Sequence, residues 1–413
     1  MPADAAIATN PHTCALKRVA VVCDFIEERW PSMELVAGML YDHLQSDQNL
    51  NFSVTRVCPA MQKRFGRLPL FRSTLHNADR FMNRFVDYPR WLRDRADDFD
   101  LFHVMDHSYG QLVHALPPGR TVVTCHDLDT FRCLLDPQRE QRPAWFRRMT
   151  GRILSGFQKA AHVIAVSSAT RDEIIRHGLF PPDRVSVIPN GVHPSCSAMP
   201  DPAADARLSE LLPRVDGSPI WLLNVGSTMQ RKRLDVLLQV FAAVRRQLPQ
   251  VRLLRVGGPL TAQQLRLARD LGVEPAIVEL PSLSRDLVAA AYRKADLLLH
   301  TAEAEGFGLP LIEAMACGCP VVASDLPVLR EIGGPAIAYC PVADVEVWRD
   351  VVLRSLQTMQ PSDAWVVRRN QAIARASGFS WSESARRTAG VYKMVLERSG
   401  TRHAGPHQHS ERS

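Results

Sequence analysis

The sequence predicts an α/β protein built from two doubly wound, parallel-sheet arrays, and three observations carry that prediction. Short runs rich in Val, Ile and Leu alternate with helix-like segments along most of the chain, the pattern of βα units. The alternation is broken once, near residue 195, by a stretch from Pro194 to Pro202 rich in Pro, Ala and Ser. The 413 residues are long for one hydrophobic core and comfortable for two.

Composition narrows the function classes. Apolar residues make up 46% and charged residues 23%, as in ordinary soluble domains. No run of 18 uncharged apolar residues occurs, so no spanning helix is expected. Met1 to Cys14 lack a charged start followed by a long apolar stretch and read as a loose leader over 1–16. The nine cysteines are scattered, with no CxxC and no Cys/His cluster at zinc spacing. A reduced, cytoplasmic protein without a structural metal follows. The net charge of +7 favours anionic partners, and nucleotide, lipid phosphate and nucleic acid all qualify. No internal repeat of 20 to 50 residues is present.

In chain order, Lys17–Asp24 is the first strand. Ser32 is a plausible N-cap for a helix over Met33–Leu44. Phe52–Val57 alternates like a strand. Residues 63–93 are basic and aromatic, with few acids, and three readings stay open: a docking face for anionic lipid, a nucleic-acid surface, or a helix pair with solvated arginines. Asp100–His107 reads as a strand running into a loop, with His103 and His107 near its end. Thr121–Cys125 is a parallel-sheet strand, and His126 and Asp127 emerge at its carboxyl end, where open α/β sheets bind ligands. Ala160–Val166 is the next strand. The helix after it has Thr170 and Glu173 at capping-box spacing. Arg184–Val192 is a last strand and turn.

The second array opens at Ile220–Ser227, where Gly226 ends a strand. A loop with Arg231 and Lys232 leads to the helix Leu234–Leu248. Two bases at a helix start oppose the helix dipole, which argues for a bound anion. Further strands are Val251–Val256, Ile277–Leu280, Asp296–His300, Val321–Ser324 and Ala336–Cys340. A closing helix spans 380–398, and the tail 399–413, with His403, His407 and His409, is polar.

The most informative stretch is Glu303-Ala-Glu-Gly-Phe-Gly-Leu-Pro-Leu-Ile-Glu-Ala-Met-Ala-Cys-Gly-Cys-Pro. Gly306 and Gly308 permit a tight turn and close approach to a ligand. Pro310 suits the first turn of a helix and Gly318 its end. The helix N-terminus then faces the glycine loop, a ready site for a diphosphate. Glu313, about one turn in, can accept two hydrogen bonds from ribose hydroxyls.

Glu305 and Glu313, separated by seven residues with Gly-Phe-Gly-Leu-Pro between them, resemble the E-x7-E signature of the retaining glycosyltransferases of family 4. The resemblance covers nearly the whole chain and implies the GT-B fold, two facing Rossmann-like domains with an interdomain cleft. It implies an N-terminal acceptor domain over 17–196, a linker over 197–217 and a nucleotide-sugar domain over 218–378, with the last helix crossing back. It implies transfer of a sugar from a nucleotide diphosphate to a hydroxyl, with retention and without a metal. The nucleotide sugar is a co-substrate, and no cofactor is expected.

Residue by residue, the resemblance makes His126, Glu305, Arg231 and Lys232 the catalytic candidates. Gly226, Ser227, Arg231, Lys232, Glu305, Gly306, Phe307, Gly308, Leu309 and Glu313 become donor contacts. Arg29, Trp30, His107 and Asp127 are candidate acceptor contacts. The chain departs from the family's pattern at Glu27–Ser32, which replaces a glycine pair; at Ser227, where some members have arginine; at Pro281, for glycine; and at His300, for proline. The expected partners are a nucleotide sugar, a hydroxyl-bearing glycan or lipid-linked acceptor, and an anionic membrane surface on the inner face, with no nucleic acid. A nucleotide-sugar 2-epimerase of the same architecture and a non-catalytic sugar-nucleotide sensor are the competing readings.

Overall fold

The computed structural model describes residues 16–403 apart from 51, 66–71, 216, 281–282 and 358–362. All but the last residue of the expected leader, the tail beyond residue 403 and Pro281 lie outside the described residues. The chain divides into two compact units. One comprises the described residues through Thr124, Gly151–His162 and those from Thr388 on; the other comprises Cys125–Thr150 and Val163–Arg387.

Two six-stranded sheets are present. The first contains β1 (Lys17–Val22), β2 (Phe52–Val57), β3 (Leu101–Val104), β4 (Thr121–Cys125), β5 (His162–Ala165) and β6 (Val185–Val187), in the order β2-β1-β3-β4-β5-β6. The second contains β7 (Ile220–Val225), β8 (Val251–Val256), β9 (Ile277–Leu280), β10 (Leu297–His300), β11 (Val321–Ser324) and β12 (Ala338–Cys340), in the order β12-β11-β10-β7-β8-β9. The described pairings are parallel. The strands therefore match the expected α/β, doubly wound class.

Both faces of the second sheet are covered, which explains why its strands read as continuous apolar runs. Leu222, Leu253, Leu297 and Leu299 enter one core cluster with Leu237, Phe241 and Trp348. Leu223, Leu254 and Leu298, one position out of phase, enter the other with Leu311, Met315 and Leu329. Each such leucine contributes about 1.5–3 kcal/mol by leaving water.

The order of each sheet reverses at one place. In the second sheet the reversal falls between β7 and β10, whose Leu222 and Leu223 pair with Leu297 and Leu298. In the first it falls between β1 and β3. Loops leaving the carboxyl ends of strands at such a reversal diverge and leave room for a ligand.

Several boundaries differ from expectation, each for a local reason. The first helix runs Pro31–Ser46 with Trp30 at its N-cap, so Ser32 is not the cap. Proline at the first position needs no N–H partner and already has helical φ, which moves the start upstream. The helix Ser168–Arg176 is capped by Ser167, whose Oγ accepts from the Thr170 amide, so Thr170 is not the cap. Residues 202–211, inside the expected linker, form a helix capped by Asp201. The last helix runs Trp381–His403, beyond the expected 398.

The basic stretch is one helical run over residues 72–93, not a helix pair. A π-helical turn at Asn83–Asp87 joins Arg72–Met82 to Tyr88–Arg93. Pro89 cannot donate to the carbonyl four residues back and its ring clashes with it; the wider turn relieves both problems. Its charges are also less free than the composition suggests. Arg80 and Arg84 pair with Glu28, and Arg64 with Asp87. Asp79 accepts from the Arg64 and Phe65 amides.

Candidate functional site

The loops after β7 and β10 meet at the reversal of the second sheet. Gly226 closes β7 at φ +146 while its amide donates to the Val256 carbonyl. A 3-10 turn at Gln230–Lys232 follows, and Arg233 leaves it in the left-handed region at φ 49. The turn is tied to the other loop by the Glu303 amide, which donates to the Arg231 carbonyl at 2.9 Å. Thr301 Oγ1 donates to the Lys232 and Arg233 carbonyls. Arg233 pairs outward with Asp235 and Glu303. These ties aim Arg231 and Lys232 at Glu305.

Glu305 is the hub. Its Oε1 accepts from Lys232 Nζ and, at 2.8 Å, from His300 Nε2. Because the carboxylate only accepts, His300 carries a proton on Nε2. Oε2 lies 3.8 Å from Arg231 Nη1. Burial alone would raise the Glu305 pKa, but Lys232, the His300 bond and Arg231 more than offset it and hold the carboxyl far below its ordinary value. Arg231 also pairs with Asp127 at 3.4 Å and Asp129 at 3.6 Å, and donates to the Ala304 carbonyl. Burial and the neighbouring Asp127 charge push Asp129 up. Two cations thus face three carboxylates.

The glycine loop follows. Gly306 packs on the backbone of His126: an added Cβ would lie 1.6 Å from that carbonyl oxygen. Ser167 Oγ and Thr170 Oγ1 donate to the Gly306 carbonyl at 2.8 and 3.3 Å. Gly308 takes φ +89 and caps the helix Leu309–Ala316, which starts one residue before Pro310. The Phe307 ring turns away into the core against Phe379, and Leu309 packs against the same core. The loop therefore offers main chain rather than these two side chains. Ser227 is exposed beside Gly226. His126 is buried, at 8% exposure.

Glu313 lies inside the same helix at 3% exposure. Its Oε1 accepts from Arg285, and its Oε2 accepts from Tyr292 Oη at 3.0 Å. Burial raises its pKa, and Arg285 and Tyr292 offset this in part.

The structure thus brings together Gly226, Arg231, Lys232, Glu305, Gly306, His126 and Asp127, all within the second unit. Asp127, expected to touch an acceptor, pairs with Arg231. Sequence reading missed Asp129, Arg285 and Tyr292, and saw His300 only as a departure. The Asp127-Leu-Asp129 spacing was the signal for Asp129; nothing local marks Arg285 as the partner of Glu313.

The first unit carries its own cluster where its sheet reverses. Asp24 follows β1, and Asp106 and His107 follow β3. Burial and the adjoining Asp106 carboxyl push Asp24 well up. Arg84 reaches the Ser108 carbonyl and lies over the Tyr109 ring at 4.0 Å. His107 is 3.2 Å from Asp106 and buried. Arg29, at φ 57, and Trp30, 38% exposed, lie further along the loop after β1. His103 is structural: it is fully buried between Tyr392 Oη and Thr124 Oγ1, each at 2.7 Å.

The family described as glycosyl transferases group 1 matches residues 213–357, and Glycosyltransferase Family 4 matches residues 34–195. The serotype-specific mannosyltransferase WbdA of Escherichia coli is 27% identical over 295 residues, covering 70% of this chain and 35% of that one. The chain therefore spans about a third of that relative's length. The O-antigen chain mannosyltransferase B of Escherichia coli is 28% identical over 324 residues, 75% of this chain and 80% of that one. Among solved structures, Anabaena HepE in complex with UDP and glucose superimposes with a TM-score of 0.67 at 16% identity, covering 92% of this chain and all of that one. In sequence the chain is similar to family 4 glycosyltransferases over residues 34–195 and to glycosyl transferases group 1 over residues 213–357, and its fold is GT-B.

Proposed function

We propose that the chain transfers a sugar from a nucleotide-diphosphate sugar to a hydroxyl, with retention at the anomeric carbon. One observation carries the reading: Arg231 and Lys232, after β7, converge with Glu305, after β10, where the sheet order reverses. As the bond from the anomeric carbon to the diphosphate breaks, its electron pair passes to the diphosphate oxygen. Arg231 and Lys232 meet that growing charge, and the N-terminus of Leu309–Ala316 adds its dipole. With cations in that role, the reaction is written without a metal or other cofactor. The acceptor hydroxyl bonds to carbon on the same face and gives up its proton to the departing diphosphate oxygen.

Glu313 binds the ribose, and the Gly306–Gly308 main chain with Glu305 positions the sugar hydroxyls. His126 faces the transferred sugar, a role that the packing of its backbone on Gly306 supports. Arg29, Trp30 and His107 serve the acceptor. The mannosyltransferase relatives support a hexose donor and a role in polysaccharide, lipopolysaccharide or glycolipid synthesis. We place the protein in the cytoplasm, peripheral on the inner membrane face. No helix among the described residues is long and apolar enough to cross a membrane. Phe65, Phe81, Val86 and Trp30 are exposed near the arginine-rich run.

The test is a thermal-shift screen of UDP-, GDP- and ADP-sugars, followed by transfer assays with the sugar that raises the melting point. Transfer with an unchanged anomeric configuration by NMR supports the reading. Release of a free epimerised sugar, or binding without turnover, replaces it with the epimerase or the sensor.

A further inference from the structure

The pairing of Lys232 with Glu305 poses a problem for anion binding. A diphosphate must draw Lys232 away from a carboxylate whose side chain is only 8% exposed. Stripped of its ammonium partner, that buried charge would be costly. Arg231 cannot take over, because Asp127 and Asp129 already claim it and its nearest approach to Glu305 is 3.8 Å.

His300 can. It sits at the carboxyl end of β10, in the rigid middle of the sheet, and is 2% exposed. Its Nε2 already donates at 2.8 Å to the same oxygen, Oε1, that Lys232 holds. The strand fixes the imidazole, whereas the lysine stem is flexible. Resting on the diphosphate reading above, we propose that His300 is a positioning residue that holds Glu305 while Lys232 passes to the donor diphosphate. Its hydrogen bond then remains on the Glu305 carboxylate after the ammonium has left.

The other charged groups around this pair are Arg231, Lys232 and Arg233 on the turn after β7, Glu303 on the loop after β10, and Asp127 and Asp129 after β4.

The experiment is calorimetric titration of the full chain with GDP-mannose and UDP-glucose at neutral pH. His300→Leu should bind about ten- to a hundredfold more weakly, the loss of a hydrogen bond to a charged group. His300→Gln, which keeps a neutral donor near the Nε2 position, should restore binding to within about threefold of wild type. Thermal melts of both variants control for folding. Wild-type affinity in both variants, or equal weakening in both, overturns the proposal and leaves the diphosphate site standing. Failure of the wild type to bind either sugar nucleotide removes the diphosphate reading, and this proposal with it.

Discussion

Gly306 lies against the main-chain carbonyl of His126, so close that a methyl group there would sit 1.6 Å from the oxygen. The strand-end segment His126–Asp129 and the glycine loop are thereby packed as one piece, with Ser167 and Thr170 holding the Gly306 carbonyl. Gly306→Ala should therefore separate them. We expect a loss of about 3 kcal/mol or more in urea unfolding, beyond ordinary overpacking because backbone must move. Gly308→Ala should cost less, about 1–2 kcal/mol, because its clash is with the flexible end of Leu329 and its φ of +89 carries the strain. Equal effects would show that the His126 contact is not a constraint.

Lys232 and Glu305 should prove strongly coupled. Lys232→Ala leaves a buried carboxylate short of a partner and should destabilise the fold by about 3 kcal/mol at pH 7. Adding Glu305→Gln should recover most of that loss, a non-additivity of about 2 kcal/mol in a double-mutant cycle. Additive losses would show that the pair contributes nothing. Donor binding should stay weak in both variants, which separates the phosphate role from the structural one.

The acid response of Glu305 has a definite sign. Its folded pKa lies below the ordinary 4.5. The unfolded chain therefore takes up the proton first, and the stability from this group is full above about 4.5 and declines as pH falls below it. The stability gap between wild type and Glu305→Gln should be constant from pH 6 to 8 and shrink toward pH 3. A gap that widens on acidification would contradict the pairing.

Asp24 should behave in the opposite sense. Burial and the adjoining Asp106 keep it protonated to a higher pH in the folded protein. The unfolded chain ionises near 3.9, so stability falls as pH rises from there until the folded site itself ionises. Asp24→Asn removes that loss. Its melting temperature should exceed that of wild type by a few degrees at pH 7.5 and match it near pH 4. A variant less stable than wild type at pH 7.5 would show that the carboxyl is charged and paired there.

Much of the site was legible because its cues are local. Gly306, Gly308 and Pro310 within five residues define a turn and a helix start from backbone geometry alone. Gly226 and the Arg231-Lys232 pair mark a strand end and a helix start against the dipole. What escaped depends on contacts between distant segments. Glu331 accepts from the Ser168 amide across 163 positions, and Arg285 reaches Glu313 from a different helix. Neither pairing leaves a trace in local spacing. The arginine-rich run misled in the same way: its acids, Glu28, Asp79 and Asp87, are partly local but become partners only through the π turn and the loop after β1. His300 stood out only as an unusual residue at a strand end; its bond to Glu305 required the loop to fold back by one turn.

The account stands on the grip of a nucleotide-sugar diphosphate by Arg231 and Lys232. Crystals soaked with GDP-mannose and UDP-glucose test it most directly. It predicts a diphosphate at the carboxyl ends of β7 and β10, hydrogen-bonded to both side chains at about 2.7–3.2 Å, with Lys232 drawn off Glu305 and His300 still bonded to it. A nucleotide bound elsewhere, with the Lys232–Glu305 pair intact, would contradict it.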